Sequence, residues 1–127
     1  METYKKVELE YLLRCSPSVL FTFLSTPSGL SDWFCDNVNI KNDHFHFIWN
    51  GGEEKVAIVI GKKENVFIKF RWEGDPKENY FEFRIQVDEI TQEVALMITD
   101  YAEEGEEDEV ALYWDNEISN LHRVIGS

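Results

Sequence analysis

Val110-Ala-Leu-Tyr-Trp114-Asp-Asn-Glu-Ile118-Ser-Asn-Leu121-His-Arg-Val-Ile125 decides the fold. Its large apolar residues Val110, Trp114, Ile118, Leu121 and Ile125 recur at steps of four, four, three and four. That spacing lines up one face of an α-helix about five turns long. The run Glu103-Glu-Gly-Glu-Glu-Asp-Glu109 comes just before it. Carboxylates there suit the positive end of the helix dipole, so the run reads as a solvated helix start. A helix with one apolar face must lay that face on something, and the preceding residues supply the surface.

Working back from the helix, most of the chain alternates with period two, the mark of half-buried strands. Phe45, Phe47 and Trp49 alternate with His44, His46 and Ile48, and Asn50-Gly51-Gly52 then signals a turn. Val56, Ile58 and Ile60 alternate with Ala57 and Val59, and the branched set, with Ile58 at its centre, is read as the inward face. Gly61 to Asn65 closes a hairpin into Val66, Ile68, Phe70 and Trp72. The loop Gly74-Asp75-Pro76 leads to Phe81, Phe83, Ile85 and Val87, and a last strand runs from Val94 to Tyr101 with Leu96 and Ile98 in register. Short turns join these five strands, so neighbours are antiparallel. Lys69 and Arg71 can face Glu82 and Arg84 across one hairpin, a pairing worth a few tenths of a kcal/mol.

The chain opens with one more strand, in which Val7, Leu9, Tyr11 and Leu13 share a face. Ser16 followed by Pro17 is a helix start, with the serine as cap and proline in the first turn. The helix presents Val19, Leu20, Phe23 and Leu24 and breaks at Thr26-Pro27. A second short helix is expected from Ser28 to Phe34, with Gly29 weakening its first turn.

Composition narrows the function. The chain has 127 residues, enough for one domain over 1–127, and it is 43% hydrophobic. Its 12 Lys and Arg against 25 Asp and Glu leave a net charge of −13. With no basic run, such a surface repels phosphate backbones, which excludes nucleic acid as a natural partner. There is no apolar run of membrane-spanning length and no secretory h-region, so a cytoplasmic protein is expected. Cys15 and Cys35 form no C-x-x-C pair and read as two free thiols.

The order of elements is therefore strand, two short helices, antiparallel meander, long helix. The fold class is α+β: a curved antiparallel sheet whose single oily face closes on the C-terminal helix. An apolar interior lies between them, and whether it is packed or hollow decides the function.

The run Ser16-Pro-Ser-Val-Leu-Phe-Thr-Phe-Leu-Ser-Thr-Pro-Ser-Gly-Leu-Ser-Asp-Trp33-Phe34 resembles the opening helical pair of the START-like, Bet v 1-like (SRPBCC) superfamily. It is most similar to small bacterial members of the branch related to the C-terminal domain of the Hsp90 co-chaperone Aha1. Thr26, Pro27, Leu30 and Trp33 resemble a T-x-P-x-x-L-x-x-W step, with Leu30 one position away from some versions. Trp114-x3-Ile118-x2-Leu121 resembles the terminal helix, although Tyr113 stands where the family often has glycine. The resemblance implies a helix-grip fold with a cavity between sheet and helix.

Chemistry-bearing motifs are sparse. His44 and His46 project from one strand face, too few for a zinc site and expected to face water. Asp32 reads as a solvated residue of the short helix. Asp100, in phase with Leu96 and Ile98, is the best candidate for a perturbed carboxylate, though its place at a strand end favours solvent. No nucleophile signature, phosphate loop or dinucleotide motif is present. No catalytic residue, metal or cofactor is therefore assigned.

Aromatic residues are the stronger signal: four Trp, five Tyr and nine Phe. The expected function is non-catalytic binding of a small hydrophobic or amphipathic, lipid-like molecule. Phe47, Trp49, Ile58, Ile68, Phe70, Phe83, Ile85, Leu96, Trp114 and Ile118 would form the walls, with Trp33 at the rim. The first rival is an acidic protein-interaction module of the co-chaperone kind, with salt-sensitive partners. The second is a cyclase- or hydratase-type enzyme, which would need ionisable groups inside the cavity.

Overall fold

Residues 3–126 are described by the structure, a computed structural model. Strand β1 (Tyr4–Leu13) leads into α1 (Pro17–Ser25), where the Ser16 hydroxyl accepts the Val19 N–H at 3.2 Å. Thr26 closes α1 and opens α2 (Pro27–Ser31): its N–H donates to Thr22 O, and its hydroxyl accepts the Gly29 N–H. A Cβ on Gly29 would stand 2.2 Å from Thr22 O and 2.6 Å from Phe23 Cα. Only glycine lets the second helix turn back this tightly on the first.

The helix expected to reach Phe34 stops at Ser31 and ends in bonded turns, with the Phe34 N–H on Leu30 O. On α1 the face that turns inward is Leu20, Phe21 and Leu24, while Val19 is exposed. The run Val19 to Leu24 is apolar nearly all round, so spacing alone could not choose its buried side.

Six further strands follow: β2 (Asn37–Lys41), β3 (His44–Trp49), β4 (Glu53–Lys63), β5 (Phe67–Trp72), β6 (Phe81–Val87) and β7 (Val94–Glu103). The helix α3 (Glu107–Ile125) ends the chain. The described residues form one seven-stranded antiparallel sheet in the order β1-β7-β6-β5-β4-β3-β2. The strand absent from the expected meander is β2. It is joined to β3 by Asn42 and Asp43, both at positive φ (47° and 62°). This is the two-residue turn whose twist matches a hairpin, and Asn and Asp tolerate it better than other side chains with a Cβ.

Alignment across strands fixes which side of each strand looks inward. Ala57 pairs with Phe45 and Trp72, and Val59 pairs with Phe70. Ile58 pairs with His44 and Arg71. The inward residues of β4 are thus Glu53, Lys55, Ala57 and Val59, and Ile58 lies on the convex outer face. This reverses the expected face of β4. Two charges among the inward positions made the Val56, Ile58, Ile60 set look like the core face.

The terminal helix covers the concave face as expected, burying Trp114, Ile118 and Leu121, with Val110 and Ile125 packed at its ends. Gly126 closes it at φ 86°. The Tyr11 hydroxyl of β1 donates to Asp115 Oδ1 at 2.6 Å, pinning the helix to the sheet edge.

Side chains fill the space beneath the helix. Phe47, Ile68, Phe70, Phe83 and Leu96 are 0% exposed, and Ile118 is 1% exposed. Phe70 stacks on Phe81 at 4.9 Å and meets Phe45 edge-on at 5.1 Å. Aromatic rings interdigitated in these offset and T-shaped arrangements leave the middle of the grip packed. No described helix is long and apolar enough to cross a membrane.

Candidate functional site

At one end of the sheet the packing stops short of closure. Trp49 ends β3 and Trp72 ends β5, while Phe34 leaves the turn after α2. Tyr113 and Trp114 come from the second turn of α3. With Asn50, Glu53, Lys55 and Asp100 they line an open cleft of about 480 Å³ between sheet and helix.

Each wall is held by a specific contact. The Trp49 indole N–H donates to Phe34 O at 2.8 Å. Phe34 lies parallel to Trp114 but offset from it, 5.8 Å between centroids and 2° from parallel, and meets Trp49 edge-on at 5.6 Å. The Trp114 indole N–H donates to Asp100 Oδ2 at 2.8 Å, and the Tyr101 backbone N–H donates to Asp100 Oδ1 at 2.7 Å. Trp72 rests on Phe81 at 4.9 Å, and Lys55 Nζ sits 4.4 Å from the centroid of a Trp72 ring. These contacts order the rings without a bound molecule.

The electrostatics are mixed and lean negative. Burial pushes the Asp100 carboxyl above its ordinary range, against the pull of its two N–H donors. Asp75 is also raised by burial, and its charge adds to the upward push on Asp100, while Lys55 draws both carboxyls down. Both Asp100 oxygens accept from donors, and the one that accepts from the indole orients Trp114. Burial raises the Tyr113 hydroxyl well above its usual range, so it stays a neutral phenol.

A second groove of about 430 Å³ adjoins the first across Phe34 and Trp49, lined also by Trp33, Cys35, Glu117 and Asn120. Burial pushes Glu117 up to about 7 and, with help from Asp36, Cys35 up to about 12. Such a thiol is protonated and unreactive at neutral pH. Cys15 is raised by burial as well.

Of the residues expected to wall a ligand, the cleft contains Trp49 and Trp114. Phe47, Ile68, Phe70, Phe83, Ile85, Leu96 and Ile118 belong to the packed core. Trp33 is 5% exposed, tied by its indole N–H to Phe23 O at 2.8 Å, and borders the second groove. Ile58 is on the outer face, on the other side of the sheet.

Phe34, Asn50, Glu53, Lys55, Trp72 and Tyr113 also line the cleft, and none of them was among the expected walls. A usable signal was present at Glu53 and Lys55, charges in phase with the core residues Ala57 and Val59. Asp100, expected near solvent, is half-buried with both oxygens bonded. His44 and His46 are half-buried on the outer face, His46 Nδ1 lying 2.8 Å from Glu54 Oε1. Asp32 is exposed, and the described residues hold no cluster of three or more metal-ligating side chains.

Comparison with known proteins adds a family. The START-like superfamily domain matches residues 1–127. The solution structure of BfR322 from Bacteroides fragilis is similar at 35% identity and TM-score 0.70, covering 98% of this chain and 92% of that one. The Aha1 dimer from Colwellia psychrerythraea is similar in fold at 16% identity and TM-score 0.76, covering 92% of each chain. DynU16, a putative protein in the dynemicin biosynthetic locus, is similar in fold at 13% identity and TM-score 0.79. That match covers 96% of this chain and 47% of DynU16. No curated protein matches the sequence.

Proposed function

The chain belongs to the START-like superfamily, and on that premise we propose that it binds a small hydrophobic or amphipathic molecule without transforming it. The site is the open aromatic cleft between β3, β4, β5 and α3, and the packed interior serves as its floor. The observation that carries this reading is the cleft itself: Phe34, Trp49, Trp72 and Trp114 share one recess of about 480 Å³ at the mouth of the grip. Rings fixed by hydrogen bonds lose little entropy when a ligand stacks on them.

The energetics set the ligand's character. A buried methylene contributes about 0.8 kcal/mol, and a tail half-covered in an open cleft gains about half of that. An eight-carbon tail then gains about 3 kcal/mol, less than the 4 kcal/mol or more that association costs. A purely aliphatic ligand binds poorly here, so stacking on the rings or a polar head must supply the remainder.

Titration with Nile red, a neutral apolar fluorophore, tests the site. Saturable binding that weakens at least about fivefold in Trp72→Ala, and is unchanged in the control Leu112→Ala on the exposed side of α3, supports it. Absence of saturation, or equal binding by Trp72→Ala, overturns it. Native mass spectrometry of freshly purified protein would then identify any retained passenger by its mass.

A further inference from the structure

We infer that the molecule held by this cleft carries a positively charged head, an amine or quaternary ammonium on an apolar body, whose place Lys55 occupies in the free protein. The inference rests on the cleft being the binding site and specifies the chemistry it selects.

Lys55 points inward from β4, in phase with Ala57, and its ammonium lies over the indole face of Trp72 at 4.4 Å. That is well inside the range in which a cation is attracted by an aromatic quadrupole. Lys55 makes no ion pair among the described residues. It is also the one cation among the residues that line the cleft, where Glu53 and Asp100 contribute two carboxylates. Asp75 adds a third close enough to interact with Lys55 and Asp100.

The lysine is tethered, so a free cation can replace it. A departing Lys55 side chain gives up the Trp72 face and its attraction to Asp75 and Asp100 and stays hydrated, because its residue is exposed. An incoming ammonium gains the Trp72 face and the field of the carboxylates, while its apolar body lies against Phe34, Trp49 and Trp114. An anionic head would find Lys55 but would also meet those carboxylates. The chain's net charge of −13 concentrates cations at its surface and repels anions.

Calorimetric titration with octyltrimethylammonium, 1-octanol and octanoate at neutral pH and physiological salt separates the cases, since the three differ mainly in head charge. The cation binds at least about tenfold more tightly than the alcohol, and octanoate binds weakest. Lys55→Met tightens the cation about three- to tenfold. Lys41→Met, with the same change in net charge on distant β2, stays within about twofold. Trp72→Leu brings cation and alcohol to within about threefold, and Trp72→Phe, which keeps a ring, retains most of the preference and covers any folding failure of the leucine variant.

Equal binding of cation and alcohol overturns the inference while leaving the cleft as a neutral site. Octanoate binding best and lost in Lys55→Met overturns it too, making Lys55 an anchor for anions. Failure of all three probes to bind overturns the cleft and the cation together.

Discussion

Phe34 and Trp114 form an offset parallel pair, 5.8 Å between centroids and 2° from parallel, although one leaves the turn after α2 and the other lies on α3. The contact joins the helical pair to the terminal helix across the mouth of the sheet. It makes the cleft wall and the core seal one structure. Phe34 is 2% exposed and Trp114 also 2%, so the pair belongs to the packed core and forms the floor of the recess.

Phe34→Ala is therefore expected to lower unfolding free energy by about 3–5 kcal/mol, the range for removing a buried ring. Urea denaturation checks the value. A loss under about 1 kcal/mol would mean that the stack does not hold the two ends of the fold together.

Gly29→Ala separates helix propensity from sterics. In an isolated helix the change gains about 1 kcal/mol. Here the methyl group meets the α1 backbone at 2.2 Å, and backbone cannot step aside as a flexible side chain can. The expected outcome is a net loss of about 1–3 kcal/mol, seen as a lower Tm by differential scanning calorimetry.

Ile58→Thr tests the assignment of the faces of β4. On the convex side, half-buried beside His44 and Arg71, it is expected to cost under about 1 kcal/mol and to leave Nile red binding unchanged. Phe70→Ala, on the packed face, is expected to cost about 3–5 kcal/mol. Equal losses from the two would put Ile58 back in the core.

Glu117 makes stability depend on pH. Its folded pKa of about 7 lies above the ordinary 4.5 because burial opposes the charge. Between those values the folded state holds more protons than the unfolded state, so stability falls as pH rises through that window. Solvent screening of this half-buried group reduces the effect to about 1 kcal/mol. Glu117→Gln is therefore expected to flatten the wild-type slope. Urea unfolding of both proteins at pH 5 and pH 8 reads the difference, and parallel slopes would refute the assignment.

Much of the fold was legible because its signals are local. Ser16-Pro17 marks a helix start through groups a few residues away, whereas Thr26-Pro27, read as a break with the next helix from Ser28, also caps α2 at Pro27. The four-four-three-four spacing up to Ile125 specifies an amphipathic helix whatever it packs on. Alternation in β3, β5 and β6 has one wholly apolar phase and one mostly polar phase, so Phe47, Phe70 and Phe83 are placed inward by chemistry alone. The strand β2 escaped because its turn, Asn42-Asp43, contains neither glycine nor proline.

The amino-acid sequence by itself determined an acidic antiparallel meander under one long helix, since periodicity and capping act between neighbours in the chain. Only the tertiary structure decided the inward side of β4, where both phases offer apolar residues and pairing with Phe45 and Trp72 selects Ala57 over Ile58. It alone decided, too, that rings fill the grip and leave a recess at its mouth. Filling depends on side-chain volumes meeting in space, and Phe34, Lys55, Trp72, Asp100 and Trp114 come together there from five separate segments.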